Sequence, residues 1–337
     1  MKPNKILYPF TLFYFILFSI SQKLRLFKRK KMPCRVISIG NITAGGTGKT
    51  PLVIYISRFL KDAGRNVCVL SRGYKRKRSS STLVVVNNGE RLVAGRKISG
   101  DEPYLVARTL RNVPVVVCGN RKNAGYYAIN KFSADTLLLD DGFQYVGLQR
   151  DLDIVCVNAL NPFGCGMLIP AGYLREPLKN LSRADIFIIT RTDRVPKEKI
   201  KEIETVISKY KKDPKIFHSY FSKKVFCRET EIDLASLKNQ RIIAISGIAM
   251  PEDFEAIIAD LGINLLSHIK YPDHYFFKDR DIKKFLHDAA EFQATVLTTS
   301  KDASRLPEEF PCYVLDVKSE IIEKKEFEYM LLKEGAC

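Results

Sequence analysis

The densest chemical signal in the chain is the run Gly40-Asn-Ile-Thr-Ala-Gly-Gly-Thr-Gly-Lys-Thr-Pro51. Gly45, Gly46 and Gly48 allow backbone N–H groups to turn inward around phosphate oxygens. Lys49 follows where an ammonium reaches the β- and γ-phosphates, and Thr50 places a hydroxyl where Mg²⁺ needs a ligand. The nucleotide-binding expectation therefore covers Thr43, Ala44, Gly45, Gly46, Thr47, Gly48, Lys49 and Thr50. One position departs from the generic loop, which has glycine where Thr43 stands.

Such a loop works with an acidic strand end. Thr136-Leu-Leu-Leu-Asp-Asp141, followed by Gly142-Phe-Gln144, fits. Asp140 or Asp141 is expected to hold Mg²⁺ opposite Thr50; a plain surface turn is the other way to read an Asp-Gly pair. Four more clusters stand out. Ser71-Arg-Gly-Tyr-Lys-Arg76 brings Arg72 and Tyr74 to the sheet end that carries the glycine loop. Gly100-Asp-Glu-Pro103 opens a helix, with Pro103 suited to its first turn and Asp101 equally readable as the N-cap. Pro170-Ala-Gly-Tyr-Leu-Arg-Glu-Pro177 presents Arg175 from a Pro/Gly-bounded loop. Tyr271-Pro-Asp-His-Tyr-Phe276 sets His274 beside an acid and three aromatics.

The elements that position these residues alternate. A β-branched run at 34–39 precedes the glycine loop, and an amphipathic segment at 52–63 follows it. Further strands are expected near 67–70, 83–86, 113–118, 152–157, 185–189 and 215–220, with helices near 103–112, 121–132 and 196–211. This is the pattern of an α/β, P-loop NTPase-type parallel sheet covered on both faces. Thr82–Ala94, turning at Asn87-Asn-Gly89, reads as an inserted hairpin. Strands near 241–246, 264–269, 295–299 and 312–315 alternate with helices near 251–261 and 279–292 in a second, smaller α/β unit. The expected organisation is an N-terminal membrane-associated helix and basic tract over 1–31, a P-loop domain over 32–222 and a second domain over 223–337.

The 337 residues include 55 Lys+Arg against 37 Asp+Glu, and the excess is local. Residues 1–100 carry 21 basic residues and only two acids, Asp62 and Glu90, a net +19. An anionic partner or a solvated basic face would each account for it. Residues 6–20 form an apolar run, flanked by Lys2 and Lys5 before and Lys23, Arg25, Lys28, Arg29, Lys30 and Lys31 after. No small-residue cleavage site follows, which argues against a secretion signal. Extension of the apolar face to Phe27 suits a helix held at one leaflet, its basic tract on anionic headgroups. The eight cysteines include no CxxC pair and the four histidines show no ligand spacing with them, which excludes a disulfide scaffold and argues against a zinc site.

Taken together these motifs resemble the tetraacyldisaccharide 4′-kinases, P-loop lipid kinases of lipid A biosynthesis. The resemblance runs from the N-terminal helix to Lys301-Asp302, and the glycine loop carries it with its Thr43 included. Ser71-Arg-Gly-Tyr74, Gly100-Asp-Glu-Pro103, Asp140-Asp-Gly-Phe-Gln144, Pro170-Ala-Gly172 and Leu174-Arg-Glu-Pro177 also match. Tyr145, Tyr275 and Ser300 depart from the family pattern, which commonly has His, His and Glu there.

The resemblance implies transfer of the ATP γ-phosphate to the 4′-hydroxyl of tetraacyldisaccharide 1-phosphate, giving lipid IVA, with ATP and Mg²⁺ as cofactors. It implies Asp101 as base with His274 as its partner, and Glu102 near the metal. Lys49, Arg121 and Arg175 would neutralise charge on the moving phosphoryl group, and Arg72, Tyr74, Gln144 and Arg121 would meet the lipid substrate. A second-domain His274 serving a first-domain Asp101 would tie activity to domain closure. The implied location is the cytoplasmic face of a bacterial inner membrane, with an anionic membrane surface as partner and neither nucleic acid nor a stable protein partner required. A P-loop GTPase of the metallochaperone or signal-recognition type is the main rival, since Thr190-Arg-Thr-Asp193 after a strand resembles a guanine-reading loop. A nucleic-acid-binding protein using the basic region is the second, and it leaves Asp140 and Asp141 without a role.

Overall fold

We describe residues 4–73, 76, 79–228, 230–248, 251–273 and 275–333 in a computed structural model of the chain. The chain divides into two compact units, one of Met1–Phe221 with Ser319–Cys337, the other of Ser222–Lys318.

The first unit opens with helix α1 (Tyr8–Phe27), then β1 (Arg35–Gly40), α2 (Lys49–Asp62), β2 (Val67–Ser71) and β3 (Val84–Asn87). It continues through α3 (Arg96–Ser99), α4 (Asp101–Thr109), β4 (Val115–Val117), α5 (Arg121–Phe132), β5 (Thr136–Asp140) and β6 (Leu152–Asn158). β7 (Ile186–Thr190), α6 (Lys197–Tyr210) and the first part of β8 (Lys215–Cys227) follow. The strands lie in the order β8-β7-β6-β1-β5-β2-β4-β3. All neighbours are parallel except β3, which runs antiparallel to β4. β5, β6 and β7 are buried along their whole length. A strand covered on both faces needs an uninterrupted apolar run rather than alternation, and their sequences supply one. Leu52, Ile56 and Leu60 of α2 pack with Val106 of α4 on one face; Ala124 and Ala128 of α5 pack with Cys68 and Leu70 on the other.

β1 sits between β5 and β6, and its register pairs Ile39 with Asp140. The glycine loop after β1, the acids after β5 and Ser71 at the end of β2 therefore emerge on one edge, the carboxyl edge where open parallel sheets bind ligands. The expected hairpin over 82–94 forms with a short return arm. Val84–Asn87 pairs with the buried β4, and the return arm closes on it through the Asn87–Leu92 bridge and hydrogen bonds from Asn88 N to Arg91 O and from Val93 N to Val86 O.

In the second unit β9 (Thr230–Ile232) runs antiparallel to the end of β8, and α7 (Leu234–Leu237) follows. β10 (Ile242–Ser246), α8 (Pro251–Asp260), β11 (Leu265–Lys270), α9 (Asp279–Glu291), β12 (Thr295–Thr299), α10 (Ser300–Ala303) and β13 (Tyr313–Ile321) complete it. Its parallel strands are ordered β11-β10-β12-β13 around Ala244, Phe254, Ile258 and Leu297.

The chain then returns. The expectation that 223–337 forms one domain needs correction, because residues from 319 onward belong to the first unit. In α11 (Lys324–Leu332), Phe327 and Leu331 are fully buried in the first unit's core. Phe327 meets the Phe217 ring edge-on at 5.3 Å, and Tyr55 donates a 2.8 Å hydrogen bond to Glu328. Nothing local to α11 announces that its apolar stripe belongs to a core some 270 residues upstream.

Candidate active site

The glycine loop keeps the form its residues predict at two positions and explains itself at a third. Gly45 (φ +113°) and Gly48 (φ +82°) lie in the left-handed half of backbone space, where a Cβ is strained. Thr43 is placed differently. It bridges Leu174 in antiparallel fashion, while Ala44 N donates to Tyr173 O and Arg175 N to Ile42 O, both at 2.7 Å. A strand-like pairing of this kind suits a β-branched residue and needs no glycine. Neighbouring side chains hold the loop's carbonyls: Thr190 Oγ1 donates to Thr47 O (3.2 Å), and Asn158 Nδ2 and Arg191 Nη1 donate to Gly46 O (3.3 and 3.0 Å). The N–H groups of residues 45–48 find no acceptor among the described residues, which is the condition for a phosphate cradle.

At the loop's mouth lies a concentrated charge centre. Lys49 Nζ donates to Asn41 Oδ1 at 3.0 Å and stands 3.6 Å from Asp141 Oδ1. Arg175 grips Asp141 in a fork, Nη1 to Oδ1 at 2.7 Å and Nη2 to Oδ2 at 3.0 Å, and Nη1 also reaches Asn41 Oδ1 at 3.2 Å. Burial alone would raise the Asp141 carboxyl; Lys49, Arg175 and Arg121 outweigh it and hold the group well below the usual carboxylate range. Asp140, the preceding residue, goes the other way. Burial first, then the Glu102 and Asp141 carboxylates, push it up to about 7, against the opposing pull of Lys49 and of the Ser71 hydroxyl, which donates at 3.1 Å. Two adjacent acids thus have opposed proton affinities, the arrangement expected where each has its own task.

The donor chemistry here fits Mg²⁺. Thr50, Glu102 and Asp140 offer hard oxygens, and the crowding of negative charge on Asp140 is what a divalent cation relieves. Asp141 is already neutralised by its basic partners. No cluster of three His, Cys, Asp or Glu able to hold a metal occurs among the described residues. Nucleotide-site Mg²⁺ needs only one or two carboxylates, because phosphates and water complete its shell.

The structure brings the other expected site residues together unevenly. Arg121, the first residue of α5, is 3 % exposed; it donates to the Asp140 carbonyl at 3.2 Å and lies over the Tyr145 ring at 5.2 Å. Gln144 commits its Nε2 hydrogens inside the protein, to Asn41 O (2.7 Å) and Glu176 Oε1 (2.6 Å). Glu102 acts on Asp140 through space, which sets the start of α4 at the site. Asp101 is buried, with Oδ1 3.7 Å from Arg96 Nε. It is not an N-cap: Gly100 takes that place with φ +94°, so Asp101 is the first helical residue and Pro103 the third. Arg72 is exposed. Tyr74 and His274 lie outside the described residues.

Comparison with known proteins matches this geometry to a family. The model of the tetraacyldisaccharide-1-P 4′-kinase family matches residues 3–336. The chain belongs to this family. A tetraacyldisaccharide 4′-kinase of Halothermothrix orenii is 37 % identical over 294 residues, covering 83 % of this chain and 76 % of that protein. One from Syntrophus aciditrophicus is 37 % identical over 322 residues, covering 91 % and 86 %. The crystal structure of LpxK from Aquifex aeolicus in complex with ATP superposes with a TM-score of 0.80 at 32 % identity, over 97 % of this chain and 98 % of that one.

Three residues of this kinase-family site escape sequence reading. Asn41 accepts from both Lys49 and Arg175 and donates to Thr43 O at 2.6 Å, joining the two cations to the loop. Ser71 hydrogen-bonds Asp140 from the adjacent strand, β2. Glu176, fully buried, gathers Gln144, Asn180 (2.8 Å) and Arg183 (2.8 Å). A carboxylate between Arg175 and Pro177 in an otherwise apolar loop was the available signal. The departures from the family pattern find local uses. Tyr145 receives Arg121, Tyr275 stacks on Tyr271 at 4.4 Å and donates to Asp281, and Ser300 donates to Asp316. Thr190 and Arg191, the core of the guanine-loop resemblance, hold the P-loop instead, and the family match does not favour the GTPase rival.

Proposed function

We propose that this chain transfers the γ-phosphoryl group of ATP to the 4′-hydroxyl of a tetraacyldisaccharide 1-phosphate, the reaction its family is named for, working at the cytoplasmic face of a bacterial inner membrane. The observation that carries it is the convergence of Lys49 and Arg175 on Asp141 and on the shared Asn41 Oδ1 at the mouth of the phosphate loop. The loop amides hold the β- and γ-phosphates. Lys49 and Arg175 stand where negative charge spreads as the phosphorus–oxygen bond to ADP breaks and the bond to the sugar oxygen forms. The leaving ADP keeps the bridging oxygen's electron pair. The hydroxyl proton passes to the Asp101 carboxylate, with His274 as its partner. Thr50, Asp140 and Glu102 would hold Mg²⁺, which when bound would neutralise charge on the phosphate oxygens. Arg72, Tyr74, Gln144 and Arg121 orient the sugar and its phosphate.

The apolar face of α1 keeps the enzyme at the interface. A four-chain substrate does not leave the bilayer readily, at ~0.8 kcal/mol per buried CH₂. Helix α1 is long and apolar enough to cross a membrane by length and composition, and its outer face is exposed. The test is phosphate transfer from labelled ATP to tetraacyldisaccharide 1-phosphate in mixed micelles, comparing wild type with Asp101→Ala. Transfer by wild type, lost by ~10²-fold or more in a variant that still binds ATP, is expected for a general base. Equal rates would remove Asp101 from the chemistry, and no transfer by folded, ATP-binding wild type would remove the kinase reading.

A further inference from the structure

Between the second half of α1 and the turn after β5 lies a cavity of about 470 Å³, within the size range of ligand sites. Its lining has two chemistries. Leu17, Ile20 and Leu24 form one wall, a single stripe of the helix, and are 51, 52 and 59 % exposed. Phe13 and Ile16, each four residues earlier on that stripe, extend the exposed apolar surface. Arg25, Lys28 and Lys122 form the other end. Among the described residues none of these three is ion-paired with a carboxylate. Arg25 faces the Tyr145 ring at 6.0 Å, and Lys122 Nζ donates to the Lys28 carbonyl. Three cations converging without an acid repel one another until an anion joins them.

We propose that this cavity binds one anionic phospholipid of the bilayer, its phosphate among Arg25, Lys28 and Lys122 and its upper acyl methylenes along Leu17, Ile20 and Leu24. The inference rests on the membrane placement of α1 proposed above and not on the kinase chemistry. The lining contains neither a carboxylate nor a carboxamide, so its charged groups are all cationic and match a phosphate. A phosphodiester needs only donors. The apolar stripe leads from the cation cluster along α1, so the rest of the chain stays in the bilayer and only the headgroup end is enclosed.

The experiment uses the full chain in neutral detergent micelles containing radiolabelled phosphatidylglycerol or phosphatidylcholine, with bound lipid counted after removal of free micelles. Wild type is expected to retain phosphatidylglycerol in preference to phosphatidylcholine. Arg25→Gln with Lys28→Gln, which removes two of the cations, and Ser21→Trp, which fills the cavity from its α1 wall, should each lose about tenfold or more of that retention. Lys23→Gln with Lys30→Gln removes the same charge from the basic tract outside the cavity and should retain it. An unchanged urea midpoint shows that each variant is folded. Equal retention by all proteins, or equal loss from both charge pairs, would overturn the site in favour of diffuse attraction. Displacement of phosphatidylglycerol by equimolar tetraacyldisaccharide 1-phosphate would overturn it in favour of the substrate. Failure of the kinase proposal appears separately, in the transfer assay.

Discussion

Arg175 does two things that a point charge could not do together. Its fork closes on both oxygens of Asp141, and the same Nη1 shares Asn41 Oδ1 with Lys49. Arg175→Lys keeps the charge and loses the planar fork. It is expected to lower kcat by about 10²-fold with ATP affinity little changed, as removal of a preorganised donor does elsewhere. Steady-state kinetics beside an equilibrium ATP-binding measurement would check this, and an unchanged kcat would reduce Arg175 to a structural clamp. Lys49, Asp141 and Arg175 were nameable from sequence because each sits in a short run whose composition is unusual by itself. Asn41, Ser71 and Glu176 were not. Ser71 meets Asp140 across 69 residues and Glu176 meets Gln144 across 32, so their roles exist only once strand order is set.

Helix α1 is more than a greasy lead. Asn4 N donates to Ala171 O at 2.9 Å, Tyr14 OH to Arg175 O at 2.6 Å, and Gln22 Nε2 to Gln144 O at 3.1 Å. The backbone just ahead of the helix and two of its polar side chains thus tie it to the two loops that carry Arg175 and Gln144. Tyr14→Phe removes one such bond at a net worth of ~0.5–1.5 kcal/mol. If that bond positions Arg175, kcat on micellar substrate should fall roughly three- to tenfold alongside a small drop in the urea midpoint; a purely structural bond would lower the midpoint and leave kcat unchanged. Helix α11 acts through burial instead. Phe327 is fully buried against Phe217 and Tyr55, and Phe327→Ala should cost ~3–5 kcal/mol. Urea unfolding of the first unit would read this as a lower midpoint with an unchanged slope. Element type and approximate bounds were legible from apolar runs and their periods, and the alternation predicted a parallel sheet. The partner of α11 was not legible, because an amphipathic stripe states that it is buried without stating where.

At the scale of the whole molecule, the return of the chain after 319 also carries a charge contact. Glu323 accepts from His218 N at 2.9 Å and faces its Nδ1 at 2.8 Å. Burial would raise the Glu323 carboxyl, yet these hydrogen bonds outweigh it and leave the group below its usual value of 4.5. A depressed folded-state pKa adds stability above the unfolded value and loses it as pH falls through the folded one. The urea midpoint of wild type should therefore drop between pH 6 and pH 3.5 by more than that of Glu323→Gln; equal drops would mean that the contact adds nothing. The net +19 of the first hundred residues was readable by counting. What the sequence determined by itself was whatever neighbours along the chain can encode: the glycine loop, the buried strands, the amphipathic helices and the basic tract. Tertiary structure decided the rest. The lodging of β1 between β5 and β6, the opposed proton affinities of Asp140 and Asp141, and the return of α11 all depend on which distant groups meet and how deeply they are buried. Register, desolvation and charge proximity are properties of the packed molecule, and no local window of sequence contains them.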